Sequence, residues 1–165
     1  MFFSRSAPST RILMVCLGNI CRSPMAQTVA THLASQGPAG TSVQVDSAGT
    51  HAVGGGAPMD PRARTVLTQR GYPAGKGRAR QVTDKDFGKF DMIMAMDQST
   101  MTELRRICPG EHTHKLRLLM EFAPATGTLE IPDPYYGSLQ GFERVLDLCE
   151  AGVRGLLDYI RTIPR

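Results

Sequence analysis

The chain has 165 residues, 41% hydrophobic and 21% charged, the balance of one globular domain long enough to bury a core. Its four cysteines are too few for a disulfide-built secreted scaffold, and no run suits a signal peptide or a membrane span, so a reducing cytoplasm is the expected compartment. A formal charge of +4 suits an anionic ligand, yet the basic residues are scattered and no aromatic residues interleave with them to form a nucleic-acid stacking platform.

Residues 1–10 read as a flexible extension and residues 11–165 as the folded domain. Ile12-Leu13-Met14-Val15 is a short apolar run typical of a buried parallel strand. A glycine-bearing loop follows, and Met25, Val29 and Leu33 then recur at helical spacing. Pro24 suits the first turn of that helix, because an N–H there lacks an intrahelical partner. Val43-Gln44-Val45 alternates as a second strand. Asp60-Pro61-Arg62 opens a helix running toward Arg70, which Gly71 stops. Residues 83–87 form a capped helical turn ahead of a third strand at residues 91–96. Asp97 or Ser99 caps a helix over residues 100–107, and residues 116–119 make a fourth strand. Residues 124–137 are a proline- and glycine-rich loop, and residues 139–163 carry a long amphipathic pattern. Strands alternating with helices predict a single α/β domain built on a parallel sheet. Cys108 and Cys149 fall on helical patterns and are expected in the core.

The loop after the first strand reads CLGNICRS, residues 16–23. Disulfide, metal site and nucleophile are the three readings of two cysteines so placed. Strand, tight loop and helix in this order make an anion cradle: successive backbone N–H groups turn inward and the helix N-terminus adds its positive dipole end. The GxxxxGK[ST] spelling of nucleotide-binding loops is absent, and the loop holds no lysine. Its first residue is the thiol Cys16, and its seventh is Arg22, whose planar fork matches two oxygens of a phosphate. Dipoles and guanidinium together favour the ionised sulfur, so the groups that bind phosphate also activate the nucleophile that attacks it. A zinc site needs further ligands in knuckle spacing, which His32, His51 and Cys108 do not supply. A static disulfide does not suit a reducing compartment. A reversible bond stays open, with Cys21 as the redox partner that traps oxidised Cys16.

Six motifs in order carry a resemblance that covers residues 12–163: VCLGNICRSP, DSAGT at residues 46–50, DPRA at 60–63, RQVTDKDFGKFDMI at 80–93, MDQS at 96–99 and DPYYG at 133–137. With these the chain resembles the low-molecular-weight protein tyrosine phosphatases. The resemblance implies a central four-stranded parallel sheet flanked by helices on both faces, with the phosphate-binding loop after the first strand. It implies a cysteine-dependent hydrolysis of phosphotyrosine through a cysteinyl-phosphate intermediate, with no metal and no cofactor. Residue by residue, Cys16 matches the nucleophile, Arg22 the phosphate clamp and Asp133 the general acid. Leu17, Gly18, Asn19, Ile20, Cys21, Arg22 and Ser23 match the phosphate-binding loop, which Asn19, Ser23 and Ser47 support. Leu17, His51, Val53, Tyr135 and Tyr136 are the expected pocket walls. The implied partners are phosphotyrosine-containing proteins, a tyrosine kinase being one candidate, with neither nucleic acid nor membrane. The implied state is a monomer or weak dimer in the cytoplasm.

Two stretches depart from the family pattern. Gly77 stands where relatives commonly carry a histidine tied to the asparagine–serine network. HAVGGGAP, residues 51–58, replaces a rim that often bears an aromatic ring, and its three glycines, Gly54 to Gly56, predict a mobile rim. Among alternatives, relay-type arsenate reductases need further cysteines where this chain has none, between Cys21 and Cys108. Ile20 and the Tyr135-Tyr136 pair favour phosphotyrosine over phosphoarginine. A non-enzymatic phosphotyrosine-binding module is expected to lack the nucleophile or the acid, and both are present.

Overall fold

A computed structural model describes residues 9–38, 42–52 and 55–164. Residues 1–8 of the stretch read as an extension lie outside the described residues, as do Val53 and Gly54, and Thr10 is the first residue of a strand. The sheet has four strands, β1 (Thr10–Cys16), β2 (Val43–Gly49), β3 (Met92–Ala95) and β4 (Leu116–Leu118), all parallel in the order β2-β1-β3-β4. Five α-helices accompany them among the described residues: α1 (Arg22–Ser35), α2 (Pro61–Gln69), α3 (Asp84–Lys89), α4 (Gln98–Ile107) and α5 (Leu139–Thr162).

The period of two along β1 divides the core. Ile12 and Met14 point into one hydrophobic cluster with α1, α2 and α5, through Met25, Val29, Val66, Leu67, Phe142 and Leu146. Leu13 and Val15 point into the other with α3 and α4, through Phe87, Met101 and Leu104. Helices on both faces explain why β1 is apolar throughout rather than alternating. Because β1 pairs with β2 on one side and β3 on the other, the chain leaves its carboxyl end at the point where the strand order reverses. Open α/β sheets gather ligands at that crevice.

Local chemistry sets most boundaries. Asp60 caps α2 by accepting from Arg62 N–H at 2.8 Å, with Pro61 as the first helical residue. Thr83 and Asp86 form the capping box of α3. Of the two candidates for α4, Asp97 is the cap, accepting from Thr100 N–H at 2.8 Å, so this helix starts at Gln98 rather than at Thr100. Helix α1 begins at Arg22, before Pro24, and Leu119 leaves the fourth strand for a 3-10 turn, Leu119–Phe122. Cys149 is buried as expected. Cys108 instead closes α4 half-buried, its thiol turned to Pro109 O at 3.3 Å, because the helix ends there.

Candidate active site

Cys16 ends β1 with 2% of its surface exposed, beside Gly49 at the end of β2. The loop then turns back over the sheet edge with Asn19 in the left-handed region, φ 57°. Such a turn needs β2 to come very close, and Gly49 allows it: a Cβ there would sit 2.6 Å from Leu17 O and 3.1 Å from Asn19 N. The strand ends are tied by Thr50 N–H to Cys16 O at 3.0 Å and His51 N–H to Leu17 O at 2.8 Å. Within the described residues, none of the backbone N–H groups from Leu17 to Ser23 donates a hydrogen bond. A run of unpaired donors at a helix N-terminus is an arrangement suited to an anion.

Three side chains hold the turn. Asn19 Nδ2 donates to Ser23 Oγ at 2.8 Å and to Ser47 Oγ at 2.9 Å, while its Oδ1 accepts from Arg80 N–H at 2.9 Å. Ser23 Oγ lies 3.0 Å from Cys16 Sγ, so the hydroxyl is placed to donate to the sulfur once ionised. Ser47 passes the network on, donating to Gln27 Oε1 at 2.7 Å.

Arg22 is buried and triply surrounded. Its Nη1 donates to Asp97 Oδ2 at 2.5 Å and to Ile131 O at 3.0 Å, and its Nη2 stands 3.9 Å from Asp133 Oδ2. Burial alone pulls the guanidinium toward neutrality, but Asp97, with Cys16 and Asp133 nearby, holds it above its usual value. The same pairing works on Asp97: burial opposes its charge, yet the Thr100 N–H and Arg22 bonds win and keep the carboxyl below the ordinary range.

Cys16, Leu17, Gly18, Ile20, Cys21, Arg22, Asp133, Tyr135 and Tyr136 line one cavity of about 220 Å³. Asp133 comes from the loop before α5, its Oδ1 accepting from Tyr135 N–H at 3.1 Å and its side chain 43% exposed. Tyr135 and Tyr136 meet edge to face at 4.9 Å on the rim. His51 lies not in this cavity but in an adjoining groove, which shares Leu17, Arg22 and Asp133 and continues past Glu103. The segment carrying it is pulled toward the sheet edge by the His51 N–H bond to Leu17 O. Val53 lies outside the described residues. All four cysteines are free thiols, and Cys21, which shares the cavity with Cys16, has its thiol pushed up to about 12 by burial and by the nearby Asp60, Cys16 and Asp133 charges.

Sequence reasoning missed the residues that aim the site. Asp97, a helix cap by its place in the sequence, also anchors Arg22. The DPRA motif acts on both loops: Asp60 N–H donates to Ile20 O at 2.8 Å, and Arg62, paired with Asp60, donates to Tyr135 O at 2.9 Å and Gly137 O at 3.1 Å. The RQV stretch adds to the end of β2 through Gly49 N–H to Arg80 O at 2.9 Å and Val82 N–H to Gly49 O at 2.9 Å. Each motif was visible as spelling, but the contacts join elements far apart in the chain.

Residues 11–163 match the sequence profile of the low molecular weight phosphotyrosine protein phosphatases. A low molecular weight protein-tyrosine-phosphatase of Streptomyces coelicolor is 42% identical over 154 residues, covering 92% of this chain and 93% of that one. The human low molecular weight phosphotyrosine protein phosphatase is 38% identical over 149 residues, 89% of this chain and 93% of its own. The crystal structure of a protein tyrosine phosphatase from Entamoeba histolytica superposes with a TM-score of 0.88 at 38% identity, covering 92% of this chain and 97% of that one. The chain therefore belongs to the low molecular weight phosphotyrosine protein phosphatases, a family of phosphoric monoester hydrolases.

Proposed function

We propose that the protein hydrolyses phosphotyrosine in proteins by way of a cysteinyl-phosphate intermediate. The reading rests above all on one arrangement: Cys16, Arg22 and Asp133 line a single cavity, with the Arg22 fork held between Asp97 and Asp133. The phosphate oxygens take the unpaired N–H groups of residues 17–23 and the guanidinium, which stabilise the charge that gathers on them during transfer. The Cys16 thiolate attacks phosphorus in line, and the P–O bond to the tyrosine oxygen breaks as Asp133 gives that oxygen its proton. The acid role requires Asp133 to carry its proton when the ester is bound. Asp133, now ionised, takes a proton from the water that attacks the intermediate, releasing phosphate while the Ser23 hydroxyl stabilises the departing sulfur. The Tyr135–Tyr136 rim supplies apolar walls for a phenyl ring, and Ile20 in the same lining suits that substrate.

Phosphotyrosine proteins in the cytoplasm, a tyrosine kinase among the candidates, are the proposed substrates of the domain spanning residues 11–165. Oxidation of Cys16 to a sulfenic acid by peroxide, followed by attack of the Cys21 thiol with loss of water, gives a disulfide that reductant reopens. The decisive test compares turnover of p-nitrophenyl phosphate and a phosphotyrosine peptide. Cys16→Ser is expected to abolish both. Asp133→Ala is expected to lose about 10²-fold or more on the peptide and less on p-nitrophenyl phosphate, whose leaving group needs no proton. Wild-type turnover by Cys16→Ser would overturn the nucleophile, and equal small losses on both esters would remove Asp133 from the acid role.

A further inference from the structure

The groove that adjoins the Cys16 cavity has a volume of about 460 Å³ and shares Leu17, Arg22 and Asp133 with it. A phosphotyrosine seated on Arg22 has this groove beside it, within reach of a neighbouring residue of the same peptide. Thr50 and His51, after β2, and the first turns of α4 with its cap Asp97 supply the rest of the lining. The His51 wall is built rather than loose. The Gln81 side chain donates to Thr50 O at 2.6 Å and accepts from Ala52 N–H at 2.9 Å, pinning the backbone on either side of His51. His51 Nδ1 is itself 3.1 Å from Thr50 Oγ1. A wall already in shape spends little on ordering when a ligand arrives.

Charge and hydrogen bonding in the groove favour a cation. Asp97, Glu103 and Asp133 bring three carboxyl groups against a single guanidinium. That guanidinium, Arg22, is buried and already donates to Asp97 and Ile131 O, and in the proposed mechanism it also holds the phosphate. Asp97 answers the positive dipole end of α4 as well, so the helix start does not repel a cation. Ser99, Thr102 and Glu103 stand three and four residues apart and share one face of α4 along the groove. Thr102 Oγ1 donates to Gln98 O at 3.0 Å, which leaves its lone pairs to accept. Arg106, outside the lining, bonds both oxygens of Glu103 and holds its carboxyl below the ordinary range, while each oxygen keeps a second lone pair. Leu17, 47% exposed and common to both spaces, offers apolar surface to an aliphatic stem.

We propose that this groove is a substrate subsite for the side chain of a lysine or arginine neighbouring the phosphotyrosine, its stem on Leu17 and its charged head on Ser99, Thr102 and Glu103. The subsite rests on the phosphatase reading of the Cys16 cavity and adds a substrate class to it, phosphotyrosine in basic rather than acidic sequence. Glu103 is the residue that sets the preference: it carries the charge at the far end of the groove, and it does not touch the reacting atoms.

The test is kcat/KM on phosphotyrosine peptides that carry Lys, Ala or Glu in turn at each of the two positions before and after the phosphotyrosine, at neutral pH and low salt. At one of these positions the Lys peptide should exceed the Ala peptide by about threefold and the Glu peptide should fall below it by as much, the scale of an exposed ion pair. The difference should lie in KM with kcat unchanged, because the contact is the same in ground and transition states. Glu103→Gln should level the three peptides, and Glu103→Lys should invert their order, which a merely structural loss would not do. Equal kcat/KM for Lys, Ala and Glu peptides at every position, or an order unchanged in both Glu103 variants, would overturn the subsite and leave the phosphatase reading in place. No turnover of any phosphotyrosine peptide, or turnover that survives Cys16→Ser, would overturn that reading and the subsite with it.

Discussion

Replacing Asp97 separates two tasks that one carboxylate performs. Its Oδ1 caps α4 through Thr100 N–H, and its Oδ2 holds Arg22. Asp97→Asn keeps the cap, because asparagine serves there as well as aspartate, but its one oxygen is then spent on Thr100 N–H and its Nδ2, a donor, faces the guanidinium. Its cost is the charge-assisted hydrogen bond to Arg22, about 1.5–3 kcal/mol. Asp97→Ala loses cap and charged bond together, about 2.5–4 kcal/mol. Arg22 is only 3% exposed and cannot recover that loss by turning to water. With a urea slope of about 2 kcal/mol/M, the unfolding midpoint falls by about 0.8–1.5 M for Asp97→Asn and by about 1.2–2 M for Asp97→Ala. Turnover of p-nitrophenyl phosphate should fall with each, toward about 10²-fold in Asp97→Ala, since a fork misplaced by an ångström no longer meets the transferring oxygens. An Asp97→Ala protein with the wild-type midpoint and turnover would refute the reasoning, because Ile131 O alone would then suffice to aim the guanidinium.

Arg62→Ala releases the two carbonyls of the loop carrying Asp133 and should lower turnover of a phosphotyrosine peptide about tenfold, with a smaller loss on p-nitrophenyl phosphate; equal losses on both would place its effect elsewhere. Stability toward acid follows from Asp86 and Asp97, where burial opposes the charge but Arg80 and Thr83 N–H at the first, and Thr100 N–H and Arg22 at the second, hold the carboxyls below their usual range. Groups depressed on folding stabilise fully above the unfolded value of about 3.9 and lose that contribution as pH falls through the lower folded one. The urea midpoint should therefore stay level from neutrality to about pH 5 and drop below it; a decline already complete by pH 5 would point to other groups. After brief peroxide treatment, Cys21→Ala should regain less activity with reductant than wild type, and unchanged recovery would remove Cys21 from the redox role.

The order of elements was legible because its signals are local: the apolar run 12–15, the Asp60-Pro61 start, the Thr83–Asp86 box. Boundaries drifted where a long-range tie decides them. Arg22 opens α1 two residues before Pro24, held from outside by Asp97 and Ile131 O. The thiol, the guanidinium and the acid could be named from spelling. Their aiming residues could not, since Asp97 looks like any helix cap and Arg62 like any surface arginine until α2 is docked beside the loop before α5. Gln27 on α1 gave no signal at all, because its partner Ser47 lies on β2.

Asp60 and Arg62 fasten the phosphate loop at Ile20 and the acid loop at Tyr135 and Gly137 to the same helix end. In the proposed mechanism the seat of the nucleophile and the reach of the proton donor are thus tied to one helix end, from outside the cleft. Widening the mouth to let product out means undoing Arg62 from those two carbonyls while Asp60 still grips Ile20. In the proposed mechanism opening then falls to the loop bearing Tyr135 and Tyr136, and the cradle keeps its shape for the next phosphoryl group.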